Sequence, residues 1–149
     1  MCGVTIALAT TDEEILACFP VMAELRPHLA RDEFVETVRR LVHEQRYALA
    51  YLSGDGIKSV AGIRTGEWLP AGKYLEIEDF VTTETARSRG YGAALLDWLL
   101  EYATQNGCRH VRLSSAVARH DAHRFYEREG LVREAYYFSI DVPRRSRPA

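Results

Sequence analysis

The sequence has three cysteines in 149 residues, Cys2, Cys18 and Cys108, and no C-x-x-C pair. An odd count without that spacing suggests neither a disulfide framework nor a thiolate zinc site. It points to free thiols in a reducing compartment. No hydrophobic run approaches the length of a membrane span. The opening "MCGVTIALATTDEE" has no basic segment ahead of its short apolar stretch, so no secretory leader is expected. Positive charge is not in excess either: the formal net charge is −2, which argues against nucleic-acid binding by bulk electrostatics. The one basic run, "RRSRPA", lies at the end and reads as a solvated tail, residues 142–149. There is no internal repeat, no low-complexity segment and no linker. These absences leave a single cytoplasmic domain over residues 1–149, long enough for one core.

What is present alternates between two periodicities. "VTIALAT" (Val4 to Thr10) reads as a short buried strand. Thr11 or Asp12 then offers an N-cap, and acids fill the first turn of a helix interrupted by Pro20 and ended by Pro27. Asp32 is the expected cap of a second helix running to about Glu44. "RYALAYLSG", "SVAGIRTGEWL" and "KYLEIEDFVT" read as three antiparallel strands, joined by turns at "GDG" and "PAG". A long apolar helix follows from Tyr91, with Gly107 as its stop. "RHVRLSS" is a strand, "RHDAHRFYERE" a helix closed by Gly130, and "AYYFSIDV" a last strand. The order β-α-α-β-β-β-α-β-α-β predicts an α/β protein with a mixed sheet and helices on its faces.

The stretch "TARSRGYGAALLDWLL" (Thr85 to Leu100) combines two cations, two glycines and the most apolar helix in the chain. Asp97 and Glu101 are its only polar positions between Tyr91 and Ala103, so most of its circumference should be packed. A helix N-terminus presents unpaired N–H groups and about half a positive charge. Gly90 and Gly92 clear space above those N–H groups, and Arg87 and Arg89 add charge, which together describe a phosphate or pyrophosphate site. A dinucleotide fingerprint is not met, because Leu95 stands at the third glycine position. A nucleotide P-loop is not met either, for want of G-K-[ST].

"RSRGYG" resembles the [Q/R]-x-x-G-x-[G/A] loop of the GCN5-related N-acetyltransferase superfamily. "IEDFVT" is similar to that family's central strand. "AHRFYEREGL" is similar to its last motif, A-x-x-F-Y-x-x-x-G-F, some 30 residues after the loop. The resemblance covers nearly the whole chain and implies the acyl-CoA N-acyltransferase fold, with acetyl-CoA as cosubstrate. It also implies roles. Backbone groups of Phe80, Val81 and Thr82 would bond the pantetheine arm. Arg87, Ser88, Arg89, Gly90, Tyr91, Gly92 and Ala93 would cradle the pyrophosphate. Tyr126 would protonate the leaving thiolate, with Phe125 and Arg119 also at the coenzyme. Arg119 departs from the asparagine common at its position, and Leu131 from the usual phenylalanine. The family often pairs through a sheet edge, so a homodimer is a further expectation.

Acetyl transfer to an amine needs a base for the ammonium, a donor for the oxyanion and an acid for the thiolate. Glu76 and Glu78 share a strand face, with Asp79 on the other unless a bulge intervenes. Glu78 is the chosen base, directly or through a water. "ELRPHL" links the first two helices and carries Glu24, Arg26 and His28, the candidate acceptor-binding residues; Arg26 could hold a carboxylate or phosphate. Tyr136 and Tyr137 are candidates for the far side. His120 and His123 flank Asp121, but no third ligand is spelled nearby, so no metal is expected. The reading is an acetyl-CoA-dependent N-acetyltransferase acting on a small primary amine. A protein or peptide N-acetyltransferase and a non-catalytic acyl-CoA sensor stay open as alternatives.

Overall fold

Four antiparallel strands follow one another in space as in sequence. They are β1 (Thr5–Leu8), β2 (Tyr47–Gly54), β3 (Gly56–Trp68) and β4 (Gly72–Thr82). A fifth, β5 (His110–Leu113), joins β4 in parallel and makes the sheet mixed. The computed structural model describes residues 3–143, so Cys2 and the basic run at 144–149 lie outside the described residues. The chain divides after Leu113 into two compact units.

In the first unit, Thr11 caps α1 (Asp12–Leu25) with a full capping box: its hydroxyl accepts from the Glu14 N–H, and the Glu14 carboxylate accepts from the Thr11 N–H. The helix runs through Pro20 and stops before Pro27. The second helix, α2 (Arg31–Gln45), has Ala30 at its N-cap, not Asp32, which sits inside the first turn. Asp32 there still opposes the positive end of the helix. Arg46 ends α2 in the left-handed region.

Strand alternation sorts the core. Tyr47, Leu49, Val60 and Val81 face α1 and α2, where Ile15, Cys18, Met22, Phe34 and Val38 complete one cluster. The alternate positions Ala50, Ala61, Ile63, Leu75 and Ile77 are buried on the opposite face. There α3 (Tyr91–Gln105) inserts Leu95, Leu96, Leu99 and Ala103. Each of those leucines contributes about 1.5–3 kcal/mol by leaving water. The packing is narrower than the sequence predicts. Trp98 and Tyr102 stack on each other half-buried, and Leu100 is exposed. The first strand is an edge strand and only half-buried, again less than expected.

The second unit holds α4 (His120–Arg128), after which Gly130 turns the chain with φ 97°. The expected last strand does not form. Residues 131–141 have neither helix nor strand, and Tyr136, Tyr137, Phe138 and Ile140 are exposed. A strand is defined by a ladder partner, which β-type residues alone do not supply. Among the described residues the sheet therefore has five strands.

Candidate active site

The central feature of β4 is a single extra residue. Ile63 of β3 faces Ile77, but Gly62 faces Asp79, so Glu78 is bulged out of register. The bulge resets the alternation. Glu76 lies opposite Arg64, and Asp79 lies opposite Gly62, on the face that carries α1 and α2. Asp79 therefore joins the acids of that face.

Both acids at the bulge are held by arginines. Arg64 grips Glu78 with two bonds, Nε to Oε2 at 2.7 Å and Nη2 to Oε1 at 3.1 Å. This pairing raises the guanidinium pKa above its ordinary value. A carboxylate has about four acceptor positions, so Glu78 keeps lone pairs beyond those that Arg64 uses. Arg26, just past the end of α1, donates from Nε to Asp79 at 2.9 Å and from Nη2 to the Glu78 carbonyl at 3.0 Å. It thus clamps the bulge itself. The Tyr47 hydroxyl donates to the other Asp79 oxygen at 3.0 Å. Burial first, and then the Asp79 charge, raise the Tyr47 pKa far above the ordinary phenol value.

A cavity of about 410 Å³ opens above these groups. Arg26, His28, Tyr47, Glu78 and Asp79 form its polar part, and Met22, Leu29, Phe34, Val38 and Leu41 its apolar wall. Two of the three acceptor candidates are thus brought to the acid chosen as base. The third, Glu24, is used elsewhere. Its carboxylate accepts from the Thr83 hydroxyl at 2.6 Å and the Glu84 N–H at 2.9 Å, fixing the turn at Glu84–Ala86. Tyr47, Gly62 and Arg64 are site residues that sequence reasoning passed over. A glycine inside an apolar strand was the available signal.

Beyond the bulge β4 loses its second neighbour. Its pairing with β5 ends at Ile77 opposite Leu113, while pairing with β3 continues to Thr82 opposite Ser59. Phe80, Val81 and Thr82 therefore pair with β3 on one side, and their other backbone edge lies beyond the end of β5. That edge runs toward the loop before α3. Ser88 and Gly90 both have positive φ, 63° and 83°. Gly90 is the N-cap, with no side-chain bond, and the first backbone bond is Ala94 N–H to the Gly90 carbonyl at 3.0 Å. The N–H groups of Tyr91, Gly92 and Ala93 precede it, in the first turn, where a helix has no internal partner for them. Arg87 donates to the Thr82 carbonyl at 3.3 Å, and Ser88 and Arg89 are exposed.

In the second unit Arg119 is the N-cap residue of α4 and hydrogen-bonds the Tyr126 phenol. Tyr126 is buried, and burial raises its pKa above the ordinary value although the Arg119 charge lowers it in part. Phe125 packs edge-on against it, with ring centroids 5.5 Å apart. His123 lies 2.9 Å from the Ala116 carbonyl, and its ring stands edge-on to His120. Among the described residues no group of three His, Cys, Asp or Glu side chains is placed to hold a metal ion. No helix among them is long and apolar enough to cross a membrane.

The acetyltransferase (GNAT) family matches residues 8–131. The "Uncharacterized N-acetyltransferase YhdJ" of Bacillus subtilis (strain 168) is 36% identical over 135 residues, covering 89% of this chain and 95% of that protein. The aminoalkylphosphonate N-acetyltransferase of Salmonella typhimurium (strain LT2) is 29% identical over 140 residues, covering 88% and 86%. Among solved structures, the aminoglycoside N-acetyltransferase AAC(6')-Iy in complex with CoA superposes with a TM-score of 0.82 at 14% identity, over 93% of this chain and 95% of that one. The chain belongs to the GNAT family of acetyltransferases. Its activity is that family's N-acetyl transfer, with acetyl-CoA as donor.

Proposed function

We propose that the protein transfers the acetyl group of acetyl-CoA directly to the primary amine of a small molecule. The observation that carries this reading is the backbone edge of β4 beyond the end of β5, which begins at the acidic bulge and leads to a helix start with no side-chain cap. Pantetheine amides would pair with that edge as an added strand does. The pyrophosphate would take the N–H groups of Gly90 to Ala93, with Arg87 and Arg89 beside it.

The acceptor amine, with a free pKa near ~10, must lose a proton before it can attack. Glu78 takes that proton directly or through one water. The nitrogen then bonds to the thioester carbon and gives up its second proton to solvent as the carbon–sulfur bond breaks. Tyr126 is the proposed donor to the leaving thiolate, and its raised pKa keeps the phenol protonated until then. Burial pushes the Cys18 thiol up to about 12, which makes that residue a poor nucleophile. A small acceptor suits a cavity of about 410 Å³. The two relatives named for substrates are also named for small amines.

The test is coenzyme A release from acetyl-CoA, measured by chromatography over amines, amino acids, aminoglycosides, polyamines and peptides. Turnover with a small amine is expected. Turnover with peptides alone would move the assignment to a protein acetyltransferase, and acetyl-CoA binding without turnover to a sensor.

A further inference from the structure

The cavity has an apolar wall, and facing it an ion pair. Arg26 and Asp79 touch at 2.9 Å, with side chains 41% and 16% exposed. Arg64 and Glu78 form a second pair beside it, so these four charges cancel. Arg26 uses Nε and Nη2, and its Nη1 has no hydrogen bond among the described residues.

That arrangement selects by charge balance. A simple ammonium ion binding Asp79 would compete with Arg26 and leave the guanidinium under-compensated in a partly apolar site. A simple anion on Arg26 would leave Asp79 in the same position. Solvent screens Arg26, 41% exposed, but far less the 16%-exposed Asp79, so loss of charge balance is unfavourable chiefly at the carboxylate. A ligand carrying both charges converts one internal pair into two and leaves the balance unchanged. Its charges must be adjacent, because the protein groups that receive them are in contact.

We infer that the acceptor is a short zwitterion, with its ammonium at Asp79 and a carboxylate or phosphonate on Arg26. The amine and the anion are separated by one or two carbons. An apolar substituent fits against Leu29, Phe34, Val38 and Leu41. His28 stands at the same cavity as a second polar contact for the anion. This rests on the N-acetyltransferase reading above and narrows its substrate.

The test compares acceptors of one carbon skeleton on the unaltered protein: an aliphatic α-amino acid, the matching 1-aminoalkylphosphonate, the amino alcohol and the diamine. One of the two anionic acceptors should exceed the amino alcohol and the diamine in kcat/KM by roughly tenfold or more. The better anionic arm names the anion. Arg26→Gln should raise KM for the anionic acceptors but not for acetyl-CoA, and Arg26→Lys should restore part of the loss. Comparable turnover of the amino alcohol or the diamine overturns the inference and leaves the enzyme reading intact. An equal KM increase for charged and uncharged acceptors in Arg26→Gln also overturns it. No coenzyme A release with any acceptor overturns both.

Discussion

The Tyr47 hydroxyl meets Asp79 at 3.0 Å directly over Gly62. A Cβ on Gly62 would come within 2.0 Å of the Tyr47 oxygen and 2.2 Å of Asp79 Oδ2. The glycine makes room for the bond between the other two. Gly62→Ala should therefore displace both side chains, at about 1–3 kcal/mol of stability. It should also lower kcat/KM, because Asp79 lines the cavity. Thermal melts and steady-state kinetics on the same sample check this. Unchanged values for both would mean that the strand yields freely at that point.

Glu78→Gln keeps the shape of the bulged side chain and removes its capacity to take a proton. The expected outcome is a fall in kcat of about 100-fold at neutral pH. The loss should shrink at high pH, where the amine is already neutral. A pH–rate profile that does not differ from that of the unaltered enzyme would assign the base elsewhere.

Tyr126→Phe should reduce kcat by a similar factor, about 100-fold, while acetyl-CoA affinity stays within about twofold. Isothermal titration beside turnover separates the two. A loss of binding equal to the loss of rate would make Tyr126 a packing residue.

Gly90→Ala places a side chain at φ 83°, a left-handed position that costs about 1 kcal/mol for a residue with Cβ. The cost falls at the start of α3, so acetyl-CoA affinity should drop more than global stability. Binding and melting measured together test this.

The Glu14 carboxyl is held well below its usual value of 4.5, at about 2. The first cause is the Thr11 N–H, followed by the Tyr51 hydroxyl and the Thr10 N–H. A lowered pKa in the folded state stabilises the fold above pH 4.5, and that contribution is lost as pH falls toward 2. Melting temperature should therefore decline over this window. Part of the slope should vanish in Glu14→Gln.

The sequence made some of this plain and hid the rest for identifiable reasons. Strands β2 to β4 were legible because apolar alternation and glycine turns are local signals. The start of α3 was legible because Gly90 and the apolar run after it are contiguous. The second helix starts at Arg31, two residues before a cap at Asp32 would begin it, a boundary that several polar residues could have set. "AYYFSIDV" has strand composition but no ladder partner, and pairing is a property of two segments. The grouping of Arg26, Tyr47, Gly62 and Asp79 joins residues 53 apart in the chain at its widest, Arg26 to Asp79. The registers of β2, β3 and β4, with the end of α1 against them, make them neighbours. Glu24 illustrates the converse: it lies in the right segment, but its carboxylate turns to Thr83 and Glu84.

The bulge at Glu78 also sets which changes of chain length this strand can absorb. Removing that one residue would restore an unbroken ladder between β3 and β4, which looks like an improvement in regularity. Every other position would keep its present face, because Ile77 and Asp79 already stand opposite the consecutive residues Ile63 and Gly62. What the strand would lose is the Glu78 carboxylate that Arg64 holds and the carbonyl that Arg26 holds. The acid is thus an addition to the sheet, carried by a residue the ladder does not need.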